Sequence, residues 1–496
     1  MTATPMNPEP QVEVGQDDSL DAATLSDTDY LAKLGYKQEL NRALGLFSSF
    51  GVQFSLIAIT SAMFTTLIVG LQFFGPASFW SYVVGGACQI FLVGLAVAEL
   101  VSAYPLSGGA YQIVNRITRR PWLAWQSGWW MVIAHVVSLT AIAASLVPFV
   151  AGWFGYDPIA DGTTVYWVLG IIVLVTITNL VGVKVAALVN NAGVVAEIVA
   201  SILIIGALVL VKHDTQPASI IFEDAGTATN GMTMAFLAAM LLPAYLISSF
   251  DATGNAAEET KNAAKIAPLG TFLANTAAYI VGVVFFFLLM IAIPNLDAIM
   301  GSDTPVKDIL DSAVGTTITT IFEAIAIVAL FATMSMMQLT GVRVLWSQAR
   351  DGQMPLAHLM RKVNRFRIPV NATLVMAALS ILIALWSSLL SVLVAMTALA
   401  WAACYTVVVV AGTWAIFKKK LPHRPWNYGK FSPIIFVGAV LWSIALCIGL
   451  VLSDPVHVGL GFLGVVIAGF VIFFSIPSSR RGKVPGVTVH HMAEDY

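Results

Sequence analysis

The chain is short of charge. Asp, Glu, Lys and Arg make up only 10% of its 496 residues, against about 25% in soluble domains. That deficit excludes a water-facing surface wrapped around a core. Three cysteines, Cys88, Cys404 and Cys447, lie apart inside apolar runs, which excludes a disulfide framework or a zinc motif. No GxxxxGK[ST] and no HExxH is present, so neither an ATP-driven engine nor that metal site is encoded. His490 and His491 stand in a polar tail and read as incidental. No arginine-rich span points to a voltage sensor, and no repeated filter-like loop to a channel. A membrane enzyme would need paired buried acids or a histidine cluster at one depth, and the sequence offers no such set. No cofactor and no metal are expected, and the net charge of −2 implies no nucleic-acid partner.

What is present is apolar length. The chain is 58% hydrophobic with a mean hydropathy of +0.84. That fits a protein whose solvent is lipid, where outward faces must be apolar too. A spanning helix needs ~20 mostly apolar residues. Twelve such spans are expected near 45–68, 76–102, 122–150, 164–182, 187–211, 232–257, 268–293, 316–345, 370–387, 390–416, 431–452 and 456–476. The ninth and tenth are parted only by a polar step at Ser387-Ser388. Residues 1–38 read as a disordered acidic cytoplasmic tail without signal-peptide features. The stretch that runs up to the first span is either a short surface helix or a linker. Residues 477–496 read as a second cytoplasmic tail. With the N-terminus inside, 23 of the 25 Lys and Arg fall on the cytoplasmic side, as basic residues do; Lys212 and Lys307 do not. The expected topology therefore has both ends inside, in a plasma or inner membrane.

Many helices, no soluble domain and a few buried polar groups point to a secondary transporter. Such proteins often carry two interrupted helices at matching places in two halves, with the ligand between them. Span one holds Thr60-Ser61-Ala62, followed by Met63, and its break is expected there. Span six, LLPAYLISSFDATGN, holds Pro243 and then Ser248-Ser249-Phe250-Asp251. The two lie five spans apart. Unwinding frees backbone groups that lipid cannot satisfy, so they must face ligand, water or protein. A new helix N-terminus also attracts an anionic group. A local kink with back-bonded hydroxyls is the alternative, less apt for span six because of Asp251.

Four stretches carry a family pattern. FDATGNAAEETKNAAKIAP (250–268) resembles the sixth helix and following loop of the amino acid–polyamine–organocation superfamily. AELVSAYPLSGGAYQIV (98–114) matches that superfamily's signature after helix two, and SQARDGQMP (347–355) is similar to its helix-eight exit. GYKQELNRALGLFSSFGVQFS (35–55) looks like the amino acid/choline transporter branch, which includes GABA permeases and carriers of choline and polyamines. The resemblance implies an all-α membrane fold of twelve helices. The first ten would form two inverted five-helix repeats, about 45–211 and 232–416, with extra helices at about 431–476. It also implies alternating access, by helices one, two, six and seven moving against a scaffold. The family usually has glycines at the helix-one break. With Thr60-Ser61-Ala62 there, either Ser61 supplies hydroxyl contacts or the ligand is not a standard α-amino acid.

Substrate contacts are expected from Thr60, Ser61, Ala62, Met63, Ser248, Ser249, Phe250 and Asp251, with Phe250 as a lid. Asp251 either faces the ligand or caps the inner half-helix. His135, beside Trp129-Trp130 on span three, is either a proton relay or ligand contact, or a packing histidine. Glu197 in span five is the candidate for proton coupling, because a carboxylate in hydrocarbon is costly and burial favours its neutral form; a structural carboxylic acid is the alternative. In some relatives a basic residue on helix five fills the place that sodium takes in sodium-coupled members, and Glu197 is expected near it. Thr333 and Ser335 in span eight would border the same region, serving sodium or helix packing. Glu99, with Ser107, Gly108 and Gly109, reads as part of the cytoplasmic gate or loop architecture, and Glu258 and Glu259 as gate residues pairing with inner-face basic residues in the inward-closed state. Glu323 is either an outer vestibule residue or a solvated helix end. The expected activity is proton-coupled import of an amino acid or related amine such as GABA. Exchange or a transporter-like sensor is the alternative.

Overall fold

The structure, a computed structural model, describes residues 26–33, 42, 45–158, 160–211, 215–364, 368–387, 389–422, 424–477 and 481. Among them there are helices and no strand. The helices are α1 (Asp27–Lys33), α2 (Leu46–Ile57), α3 (Ile59–Phe74), α4 (Ser78–Cys88), α5 (Leu95–Ala103), α6 (Gly109–Thr118), α7 (Pro121–Gly152), α8 (Thr164–Val181), α9 (Val183–Leu210), α10 (Met232–Ala239) and α11 (Leu241–Leu246). They continue with α12 (Ala252–Asn255), α13 (Ala263–Ile291), α14 (Leu296–Met300), α15 (Pro305–Val314), α16 (Thr316–Arg350), α17 (Ala357–Met360), α18 (Val370–Trp386), α19 (Leu390–Phe417), α20 (Ser432–Ser453) and α21 (Leu460–Ser475).

Among the described residues nine stretches are long and apolar enough to cross a membrane. The first, Leu46–Ala103, runs 58 residues. At 1.5 Å per residue it is far too long for one crossing of a core about 30 Å thick. It turns at Gly75–Ala77 and holds two crossings. Two shorter apolar stretches, Met232–Leu246 and Val370–Trp386, complete the twelve. Ser388 and most of both expected tails, His490 and His491 included, lie outside the described residues.

The centre of the bundle is α7, packed against α16 and α19. The outward faces of α8, α9, α18, α20 and α21 keep large apolar side chains exposed, such as Leu188, Ile202, Leu382, Leu441 and Phe474. These are the lipid-facing surfaces the composition calls for.

Two crossings are broken at mid-length, and the sixth has two causes. Pro243 has no N–H to give the carbonyl four residues back, and the helix is interrupted at Met240. Then α11 ends at Leu246, and Ile247–Asp251 run non-helically to α12, with Ser249 left-handed at φ 60°. The first crossing breaks at one residue, Ala58, left-handed at φ 41°. This corrects the expected break at Thr60-Ser61-Ala62, which instead form the first turn of α3. Ala58 N–H still reaches Phe54 O at 3.1 Å, so α2 closes on its own last turn before the chain swings.

Candidate functional site

The two breaks lie side by side. Gln53 on α2 donates through Nε2 to Ser248 O at 3.4 Å, across the gap between them. Between them is a cavity of about 20 Å3, room for about one water. Leu56 and Ile57 line it from the end of α2, and Tyr245 and Leu246 from the end of α11. Ala62, Ser138, Ser248 and Thr333 add walls from α3, α7, the break and α16. Two helix C-termini therefore converge on the cavity, each with the partial negative charge of its last carbonyls. That is an environment for an ammonium group.

The positive end of the first break faces another way. Thr60 N–H donates to Glu197 Oε1 at 2.7 Å, and Ser61 Oγ donates to Oε2 at 2.5 Å. Thr60 Oγ1 also bonds Ser201 Oγ, one turn beyond Glu197 on α9. All three residues, Thr60, Ser61 and Glu197, have no solvent exposure. Glu197 reaches this place because α9 approaches α16 closely. A Cβ on Gly193, one turn before Glu197, would collide with the Cβ of Ala332. Among the described residues Glu197 has no cation within ion-pair distance.

Asp251 is also buried, but its partners turn it from the cavity. Tyr405 Oη on α19 donates to Oδ1 at 2.8 Å, and Asn255 Nδ2 to Oδ2 at 3.1 Å. Gly109, the first residue of α6, fits against Oδ2 only because it has no Cβ. The side chain makes no capping bond to α12. Phe250 packs on Tyr405, ring centres 5.3 Å apart, and against Gly94. Ser249 Oγ is buried with no hydrogen-bond partner among the described residues. Of the residues expected to contact substrate, Ala62 and Ser248 line the cavity, whereas Thr60, Ser61, Met63, His135, Ser249, Phe250 and Asp251 do not. His135 Nδ1 pairs with Met131 O at 2.8 Å, and its ring meets Trp401 edge-on.

Thr333 lines the cavity, with Oγ1 2.8 Å from Ser55 O, so α16 holds the end of α2. Ser335 points to α8, donating to Asn179 Oδ1 at 2.6 Å. Sequence reasoning missed Ser138 and Tyr245. Ser138 lies three residues beyond His135, on the same side of α7, so helical spacing alone pointed to it.

At both ends of the bundle side chains pair across the crossings. At the acid-rich end Phe64 packs against Phe149 and Phe322, at 4.6 and 5.1 Å between ring centres. Glu323 there accepts from Trp153 Nε1 at 3.0 Å and lies 3.9 Å from Lys307. At the basic end Glu99 holds Arg424 at 2.5 Å and accepts from Ser432 Oγ at 2.8 Å. Glu259 pairs with Arg343 at 3.1 Å. Glu258 accepts Ser107 N–H at 3.0 Å. Burial raises the Glu258 pKa above its ordinary value, while the charge of Arg350 opposes the rise. Arg42 donates to Ala257 O and Thr260 O at 3.1 and 2.8 Å, binding the segment before α2 to the exit of the sixth crossing.

A sequence model of the amino acid permease family matches residues 44–483. Among curated proteins, an amino-acid permease BAT1 homolog of Oryza sativa is 27% identical, covering 86% of this chain and 88% of its own length. Amino-acid permease BAT1 of Arabidopsis thaliana is 24% identical, over 89% and 92% of the two chains. Amino-acid permease 2 of Neurospora crassa is 25% identical, over 86% and 82%.

Proposed function

Because the chain belongs to the amino acid permease family, whose members are membrane transporters and not enzymes, we propose that it imports an amino acid or related amine, such as GABA, driven by protons. The observation that carries this reading is the pair of breaks. Their negative helix ends meet at one cavity, and behind it stands a buried carboxylate, Glu197, with no cation in reach among the described residues. An amine docks at the carbonyl ends of α2 and α11. Ser138, Ser248 and Thr333 supply the neutral polar contacts.

Transport proceeds by alternating access. The phenylalanine cluster parts to admit substrate from outside, and the Glu259–Arg343 pair and the Glu258–Ser107 contact break to release it inside. The cavity, sized for a water, widens as substrate enters. Both termini face the cytoplasm of a plasma or inner membrane, in keeping with the basic loops. Glu197 carries the proton, being the one buried acid near the breaks that no tyrosine or arginine holds among the described residues.

The test is uptake by purified protein in liposomes. An inward proton gradient should drive accumulation of a radiolabelled amino acid or GABA. Glu197→Gln should abolish gradient-driven accumulation yet still allow equilibration. Accumulation by Glu197→Gln that still follows the gradient would refute the coupling role. Uptake that requires preloaded substrate would replace import by exchange.

A further inference from the structure

The positive end of α3 is where a transported carboxylate would find backbone donors, yet the chain fills it with its own. Thr60 N–H and the Ser61 hydroxyl are both spent on Glu197. The Ser61 N–H also bonds Glu197, and that of Ala62 is taken by Ala58 O at 2.8 Å. Ala62 itself faces the cavity, so the same first turn of α3 touches the protein's carboxylate on one side and the ligand space on the other. We propose that Glu197 is an internal stand-in for the substrate's carboxylate. Ionised, it neutralises the N-terminal end of α3; protonated, it leaves that end to attract the carboxylate of an amino acid in the adjoining cavity.

The balance is simple. One proton passes from water to a Glu197 oxygen, and one carboxylate arrives with the substrate. The charge facing α3 is the same before and after. The substrate's ammonium meets the carbonyl ends of α2 and α11, which Glu197 does not touch. Proton and amino acid therefore bind together, and each strengthens the other by the same factor. An amine without a carboxylate gains nothing from the proton.

No other titratable group competes at this place among the described residues. Helices α2 and α3 contain none. On α16, Arg343 is paired with Glu259, Glu323 with Trp153 and Lys307, and Arg350 lies over Trp346. On α15, Lys307 pairs with Asp311, and Asp308 accepts from Ser302. On α13, Tyr279 donates to Val83 O and Lys265 is exposed. On α8, Tyr166 is exposed. On α9 itself Lys184 lies more than three turns before Glu197.

The inference rests on the transport reading but is tested without transport. Detergent-solubilised protein is screened by thermal shift with the twenty amino acids and GABA, and with the decarboxylated amine of each binder. Affinity of the wild type for the best amino acid should rise about tenfold for each unit the pH falls, until Glu197 is fully protonated; one proton taken up per ligand gives that slope. Glu197→Gln should bind as tightly as the protonated wild type, with no pH slope, and the matching amine should show no slope in either protein. Ser61→Ala keeps the acid but removes one donor to it, and should keep the slope and move it to higher pH. It serves if Glu197→Gln does not fold. A slope retained in Glu197→Gln, an equal slope for the amine, or binding of amines but of no amino acid overturns the proposal. The two ideas fail separately. A binding slope without proton-driven uptake removes the coupling reading, whereas proton-driven uptake without the slope removes the stand-in.

Discussion

The two broken crossings use carboxylates in opposite ways. The first carries no charge of its own. It bends at one left-handed alanine and borrows Glu197 from α9. The sixth carries Asp251 in its own sequence but hands it to Tyr405 on α19 and to Asn255 one turn on. One acid thus fills a helix end that a ligand would use. The other ties a short half-helix, α12, to a helix outside the breaks. On the proposed reading, the acid inside the break is structural and the acid outside it is the one whose charge changes.

Removing each acid should expose that contrast. Asp251→Ala leaves the Tyr405 hydroxyl and the Asn255 amide buried without their acceptor, which costs about 1–3 kcal/mol for each stranded group. The largest loss of thermal stability in detergent is expected here, at about 3 kcal/mol or more. Tyr405→Phe should lose less, because Asn255 still holds the acid. Glu197→Gln keeps an oxygen to accept from Thr60 N–H or Ser61, and should lose only about 1 kcal/mol. If Glu197→Gln proves the less stable of the two, the assignment of structural and functional roles is reversed.

The close approach that delivers Glu197 is the next place to press. Gly193→Ala puts a Cβ on Ala332, and overpacking of this kind costs about 1–3 kcal/mol. It should also push α9 away and loosen Glu197 from α3, so its proton-linked binding falls with its melting temperature. Gly109→Ala crowds Asp251 with a comparable steric cost but should leave the pH dependence of binding unchanged. A loss of pH dependence in Gly109→Ala would mean the two sites are coupled.

Much of this arrangement was legible in the sequence. The twelve apolar segments follow from composition and length, which hardly depend on tertiary contacts. Pro243 and the polar run after it mark the sixth break, because each acts locally. Glu197 stood out because carboxylates are rare in lipid-facing helices. The position of the first break was not legible. Ala58 is no turn residue, and the hydroxyls of Thr60 and Ser61 bond to another helix, α9, not to the break. The orientation of Asp251 was not legible either, since its partner Tyr405 lies 154 residues away. Sequence showed which groups are buried, and the long-range packing decided which way each one points.

The basic end offers a smaller effect with a definite sign. Burial raises the Glu258 pKa above its ordinary value of 4.5, so the folded, closed form binds that proton more strongly than the unfolded chain does. Its contribution to stability is full below pH 4.5 and is lost as the pH rises through the raised value. Melting temperatures of the wild type should fall over that window relative to those of Glu258→Gln, which lacks the titrating group. Equal slopes for the two proteins would remove Glu258 from the closure of this end.

The smallest effect is expected where the first crossing bends. A left-handed alanine costs about 1 kcal/mol against glycine, and glycine gives back a similar amount through the freer unfolded chain. Ala58→Gly should therefore change the melting temperature little. Its effect should appear in the breaks' shared geometry, because alanine at φ 41° restricts the swing between α2 and α3 and glycine does not. Ala58→Gly should open and close more readily, with faster equilibration of substrate at unchanged proton dependence. Ser249→Gly, at φ 60° in the sixth break, also removes a buried hydroxyl that has no partner among the described residues and should raise stability more than Ala58→Gly. If the two glycine variants behave alike, the breaks bend in the same way after all, and the difference between them lies in their carboxylates alone.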